Sequence, residues 1–266
     1  MSSPMSGPRW PAPTIAVDWN KPIEGMVCAA MWPTMSLGVR ERWFDELYVW
    51  TEGFQASTMQ RARIQLNGVR KSFALLEQER VRKIGVTLSF GTIERSLDLL
   101  TAQFDENRLL SHRIVVLLRG QFDRLRSPYR VQGFIDWMRS QLIPVGYRLT
   151  SPRIGMEMRT IDFLRPDFAK VGAPPSVRVE YWQDMLIEAR SAGLNPDWLV
   201  VSGIDTEAQK TLAKEAGVAF AQGAAVKAAY DPPSTRRPAT LPIEPLPQGG
   251  NETVAPATIP GTTSVL

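Results

Sequence analysis

The sequence predicts an α/β chain whose strands close into a barrel, and three observations carry that expectation. Short β-branched or apolar runs alternate with segments of helical period, the pattern of parallel strands linked by helices. Seven such runs follow one another, which favours a barrel over an open sheet. With 266 residues, 44% hydrophobic and 22% charged, the chain is long enough to bury one large core.

The expected strands fall at 26–31, 85–89, 113–118, 147–150, 168–171, 199–202 and 218–221. Between them the helical faces are well marked. Ile93, Leu97, Leu100 and Phe104 share one face, as do Val131, Phe134, Ile135, Met138 and Leu142. Val179, Trp182, Met185, Leu186 and Ala189 form a third face, followed by Gly193 where a C-terminal cap belongs. Thr206 with Gln209 reads as a capping box. The earlier stretch 40–82, which contains Gly53 and Gly68, is expected to form two or three helices, with Trp43, Phe44, Tyr48 and Trp50 in the core or at an interface.

Composition sets the domain limits. Eight of the 21 prolines follow Tyr230 and four lie at or before Pro13, so 1–14 and 232–266 are expected to be disordered and 15–231 to form the barrel domain. The C-terminal segment, 232–266, contains Leu241-Pro-Ile-Glu-Pro-Leu-Pro247, which is compatible with polyproline II and with docking to a partner as well as with a solvated tail.

Several function classes are disfavoured. A net charge of +4 is too small for a nucleic-acid-polymer binder. A single cysteine, Cys28, excludes an intramolecular disulfide, and with His112 as the one histidine no Cys/His zinc cluster can form. The longest apolar run, 25–39, is broken by Pro33, Thr34 and Ser36 and falls short of the roughly 20 residues that span a bilayer. The N-terminal segment lacks the apolar core of a signal peptide, and the expectation is a soluble cytoplasmic protein. The sequence contains no Gly-rich phosphate loop and no nucleophile elbow. Carboxylates at strand ends would be the remaining route to metal-assisted hydrolysis. The expected strand ends carry Arg119, Arg153 and Ser202 instead, with Asp205 alone near the predicted mouth.

The second half resembles the bacterial EAL domain, the cyclic-di-GMP phosphodiesterase family. Phe163-Leu-Arg-Pro-Asp-Phe-Ala-Lys-Val171 is similar to the segment entering its Lys-Ile-Asp strand. Val201-Ser-Gly-Ile-Asp-Thr-Glu-Ala-Gln209 looks like its Ala-Glu-Gly-Val-Glu-Thr-x-x-Gln, and Ala221-Gln-Gly223 fits the closing Gln-Gly. Gly146-Tyr-Arg-Leu-Thr-Ser-Pro-Arg-Ile-Gly155 aligns with the Asp-Asp-Phe-Gly segment, Gly85-Val-Thr-Leu-Ser89 with the strand bearing the metal-binding asparagine, and Gly25-Met-Val-Cys-Ala-Ala30 with the name-giving Glu-Ala-Leu.

The resemblance implies a TIM-type (β/α)8 barrel with an antiparallel first strand. It also implies a site emptied of ligands. The name-giving Glu falls near Cys28, the asparagine on Thr87, a further glutamate near Leu117, the paired aspartates on Pro152 and Arg153, and the two glutamates of the Glu-Gly-Val-Glu motif on Ser202 and Asp205. Lys170 matches the family lysine. Arg153, Lys170, Asp205 and Gln222 are therefore the candidate ligand-binding residues, with no catalytic residue, metal or cofactor expected. Arg153 beside Lys170 makes the mouth anion-seeking, unless Arg153 turns outward and Lys170 pairs with Asp205. The implied function is a catalytically inactive regulatory module that binds a protein partner in bacterial signalling. The alternative is a metal-independent cyclic-di-GMP or other nucleotide sensor, and residual phosphodiesterase activity is the third reading.

Overall fold

The computed structural model describes residues 26–52, 57–151, 153–175 and 177–232. The expected disordered segments, 1–14 and nearly all of 232–266, lie outside the described residues. Eight strands close a barrel in sequential order. They are β1 (Met26–Ser36), β2 (Arg42–Glu52), β3 (Ile84–Ser89), β4 (Ile114–Arg119), β5 (Val145–Arg148), β6 (Phe168–Gly172), β7 (Leu199–Ser202) and β8 (Phe220–Gln222). β1 runs antiparallel to both neighbours, β2 and β8, and the remaining neighbours pair in parallel. The predicted barrel with an antiparallel first strand is the observed architecture.

One element differs in kind from the expectation. The start of the stretch expected to be helical, 42–52, is strand β2. Aromatic and β-branched residues suit a pleated surface, and the side chains alternate with period two. Phe44 belongs to the barrel interior, Leu47 to the outer core, and Glu46 again faces inward. A single helix, α1 (Thr58–Glu77), follows, opened by a capping box between Ser57 and Gln60. Gly68 sits inside that helix, where its Cα face approaches the Val49 side chain.

The other helices are α2 (Phe90–Glu106), the short α3 (Arg108–Ser111), α4 (Pro128–Ser140), α5 (Met158–Leu164), α6 (Val179–Ser191) and α7 (Glu207–Ala216). The apolar faces read from the sequence are the buried ones: Ile93, Leu100 and Phe104 on α2, Val131, Phe134, Ile135 and Met138 on α4, Trp182, Met185 and Ala189 on α6. The capping box at Thr206 opens α7, and Gly217, at φ 87°, closes it. Leu142 falls off the α4 face because that helix ends before it, and Leu142 is exposed. Among the described residues, no helix is long and apolar enough to cross a membrane.

The barrel interior is filled. Phe44, Val115, Leu117, Phe168 and Val200 form one buried cluster, with Trp43 and Phe220 packed against it. Two glycines make room for the rings: a Cβ at Gly146 would lie 2.2 Å from Phe168, and one at Gly85 would lie 2.7 Å from Phe44. Because the lower barrel is packed, the open space for binding chemistry lies at the strand ends. Gly146→Ala is expected to destabilise the fold by about 1–3 kcal/mol through overpacking. Gly133→Ala, in the exposed interior of α4 with nothing within 4 Å of a new Cβ, is expected to stabilise it by about 0.5–1 kcal/mol. Chemical denaturation of both variants measures the contrast.

Candidate functional site

At the C-terminal ends of the strands the interior changes from apolar to polar. Continuing the inward-facing series upward, Glu46 on β2, Thr87 on β3, Lys170 on β6 and Gln222 on β8 converge beneath the mouth. Glu46 is 1% exposed, Lys170 3% and Gln222 5%. Lys170 Nζ donates to Glu46 Oε2 and to Gln222 Oε1. Thr87 Oγ1 donates to Glu46 Oε1 at 3.0 Å. The Gln222 amide nitrogen lies 3.2 Å from Glu46 Oε2, 3.0 Å from the Trp32 carbonyl and 3.3 Å from Thr34 Oγ1 on β1. Five strands are thereby joined through one buried ion pair and the groups around it.

Burial alone would push the Glu46 carboxyl pKa up. The positive charges of Lys170 and Arg148, with hydrogen bonds from Lys170 and Thr87, outweigh it and hold the group down at about 2. Glu46 is therefore an anion, and both of its oxygens are engaged.

Above this pair stand two cations. Arg148 ends β5 directly beside Lys170 in the sheet register. Its guanidinium lies 5.5 Å from the centre of the Tyr48 ring, a cation–π distance, and its buried Nη1 has no hydrogen-bond partner among the described residues. Arg119 ends β4. Its burial, reinforced by the fields of Arg148 and Arg61 and opposed by Tyr48, presses its pKa downward.

The neighbouring loop is held by a carboxylate of its own. Glu157 accepts the backbone N–H groups of Thr150 and Ser151, both at 3.0 Å, and the hydroxyls of Tyr147 and Thr150. Burial raises its pKa, but these hydrogen bonds lower it further than burial lifts it.

The structure divides the four residues singled out from the sequence. Lys170 and Gln222 touch each other at the centre of the network. Arg153 does not join them: it lies exposed beyond the strand end, its backbone N–H on Ser151 Oγ at 3.1 Å. Asp205 is also exposed and accepts the Ala224 N–H at 3.1 Å. Two expectations are corrected here. The cation beside Lys170 is Arg148, because β5 ends there rather than at 150. The carboxylate paired with Lys170 is Glu46, not Asp205.

Of the other aligned positions, Thr87 does enter the site and Leu117 lies in the apolar layer, while Ser202 donates to the Val171 carbonyl at 3.1 Å. Pro152 and the Cys28 side chain lie outside the described residues. Sequence reasoning missed Glu46 because its strand was read as helix. The inward alternation Phe44, Glu46, Tyr48 was the available signal.

No family model matches the sequence, and no curated protein matches it either. Solved structures do match. The Bacillus subtilis YkuI protein, with an EAL domain, in complex with substrate c-di-GMP and calcium, superposes with a TM-score of 0.59 at 14% identity. The fold is that of the EAL domain. The match covers 78% of this chain and 56% of YkuI. The S helix-GGDEF-EAL portion of Vibrio cholerae LapD, in its apo form, gives a TM-score of 0.60 at 13% identity over 76% of this chain and 53% of that one. An EAL domain protein from Listeria monocytogenes gives 0.54 at 11% identity over 77% and 89%. The chain thus spans just over half of the first two and most of the third.

On this EAL fold, the donor set around Glu46 does not suit a divalent cation. Among the described residues, no group of three or more His, Cys, Asp or Glu side chains is placed to hold one. Hard cations need several oxygen ligands, preferably anionic, whereas the groups nearest Glu46 are Lys170, Thr87 and Gln222.

The Glu46 shift has a stability consequence with a definite sign. A carboxyl whose pKa is lower in the folded chain than its ordinary 4.5 contributes stability that is complete above that value, and the contribution fades as pH falls toward about 2. The stability gap between the native chain and Glu46→Gln is expected to narrow over that interval. At neutral pH, Glu46→Ala is expected to cost about 3–5 kcal/mol, because Lys170 is left buried without its counter-charge. Denaturation at a series of pH values measures both.

Proposed function

We propose that this chain is a catalytically inactive EAL-like domain that serves as a regulatory protein-interaction module in c-di-GMP signalling. The observation that supports the inactive part of the reading is the engagement of both Glu46 oxygens by Lys170, Gln222 and Thr87; the regulatory part follows from the retained EAL fold by analogy. We place the name-giving Glu of the family motif at Glu46-Leu47 on β2, instead of near Cys28 on β1. Metal-assisted phosphodiester hydrolysis needs a cluster of negative ligands to compensate the cations and to lower the pKa of the attacking water. Here an ammonium sits on the carboxylate, and Arg119 and Arg148 occupy two further strand ends. Incubation of the full chain with c-di-GMP and Mg²⁺ or Mn²⁺ is expected to yield no linear dinucleotide. Metal-dependent conversion would overturn the proposal.

A second reading, metal-independent sensing of c-di-GMP, is favoured by one observation: the Arg148 Nη1 without a partner among the described residues, at the mouth beside Arg119. Guanidinium groups with spare donors bind phosphate oxygens through charge-assisted hydrogen bonds. Titration calorimetry with c-di-GMP distinguishes the two readings. Heat that persists without Mg²⁺ and disappears in Arg148→Ala supports sensing. Its absence at high micromolar ligand leaves the protein-interaction reading alone.

A further inference from the structure

Two guanidiniums at the mouth are left over once the buried network is satisfied. On β4 the inward series runs Val115, Leu117, Arg119, the first two in the interior cluster. On β5 it runs Gly146, Arg148, since a Cβ at Gly146 would meet the interior ring of Phe168. Residues two apart on a strand share a face, so both arginines point into the same mouth. Their strands pair through Leu118 and Tyr147, which sets Arg119 and Arg148 side by side one step further on.

Charge is not balanced there. Lys170 and Glu46 compensate each other. Neither arginine forms an ion pair among the described residues. The ionisable groups that bear on Arg119 are Tyr48, Arg148 and Arg61 near the start of α1, with no carboxylate among them. Glu157, on the adjoining loop, is committed to Tyr147, Thr150 and Ser151.

Hydrogen bonding is incomplete at the same point. The Tyr48 ring meets the Arg148 guanidinium, 5.5 Å from the ring centre, but an aromatic face offers no acceptor to the donors at the guanidinium edge. Arg148 Nη1 is buried with no partner among the described residues, a costly state for a charged donor.

An oxyanion answers both deficits, and charge selects among oxyanions. A phosphomonoester carries about −1.5 to −2 charges at neutral pH and three acceptor oxygens. That matches two uncompensated guanidiniums, whose planar forks suit bidentate contact with phosphate. A phosphodiester brings a single charge.

We propose that the mouth is a receptor for a phosphomonoester dianion, held between Arg119 and Arg148 above the Glu46–Lys170 pair. The site shares Arg148 with the sensing reading but does not depend on it, because a cyclic dinucleotide presents only phosphodiesters.

Calorimetric titration of the full chain with methyl phosphate, dimethyl phosphate and sulfate tests the proposal. Well above the monoester's second pKa of about 6, methyl phosphate is expected to bind about tenfold more tightly than dimethyl phosphate, the effect of one added charge after desolvation is deducted. A unit or more below that pKa the advantage is expected to disappear. Sulfate, a dianion under both conditions, is expected to bind equally in both, which shows that Glu46, Lys170 and Tyr48 keep their charge. Arg148→Ala and Arg119→Ala are each expected to weaken methyl phosphate binding about tenfold or more, and Arg148→Lys, which keeps the charge but loses the fork, to recover part of that loss. The comparison of the three probes on the unaltered chain does not depend on any variant folding. Equal affinity for the two esters, sulfate affinity that follows the same change of pH, or no heat from millimolar methyl phosphate would overturn the proposal. Heat from c-di-GMP without heat from methyl phosphate would leave the sensing reading standing and this one contradicted, and the converse would separate them the other way.

Discussion

The buried contact between Lys170 and Glu46 is the constraint around which the upper barrel is arranged. An ammonium with 3% of its surface exposed has lost nearly all of its hydration, at a cost of several kcal/mol that only a close counter-charge and further hydrogen bonds offset. Glu46 supplies the charge, Gln222 accepts a second donation, and Thr87 occupies the remaining carboxylate oxygen. Satisfying one lysine thus fixes the rotamers of residues on β2, β3 and β8. Through the Gln222 amide, it also fixes the position of β1 at Trp32 and Thr34. Such a pair is weak evidence for net stability over an apolar core, but removing either member alone is costly.

The same contact determines what the mouth can do. With its carboxylate neutralised by Lys170, the local field is set by Arg148 and Arg119, whose placement at adjacent strand ends favours anions. The two faces of the barrel differ accordingly: a cationic polar mouth lies above the packed layer of Phe44, Leu117 and Phe168, and an aromatic cleft lies below it. The mouth, with Lys170 on its buried carboxylate and two arginines at neighbouring strand ends, is poorly suited to holding hard cations.

Much of the fold was legible because burial imposes period on sequence. The faces of α2, α4 and α6 follow the spacing of their apolar residues, and runs such as Ile114–Arg119 and Leu199–Ser202 are apolar because they are covered on both sides. β2 was not legible in the same way: its two sides are both buried, one by Phe44 and the other by Leu47 and Asp45, so no polar face marks the alternation. The site suffered doubly from this. Glu46 lies 124 positions from Lys170, a separation that local patterning cannot bridge. The cation beside Lys170 was misassigned for a smaller reason: β5 ends at Arg148, two residues short of the expected boundary at 150, and strand ends are the least determined part of a pattern. Motif order located Lys170 and Gln222 because their strands carried recognisable sequence around them.

The central proposal is that a Glu46 carboxylate engaged by Lys170, Thr87 and Gln222 holds no divalent metal. Electron paramagnetic resonance of Mn²⁺ titrated into the full chain tests it most directly, since bound and free Mn²⁺ give distinct signals. The account predicts that the free signal grows in proportion to added metal, with no saturable site at micromolar Mn²⁺. A stoichiometric loss of the free signal that is abolished by Glu46→Gln would contradict it.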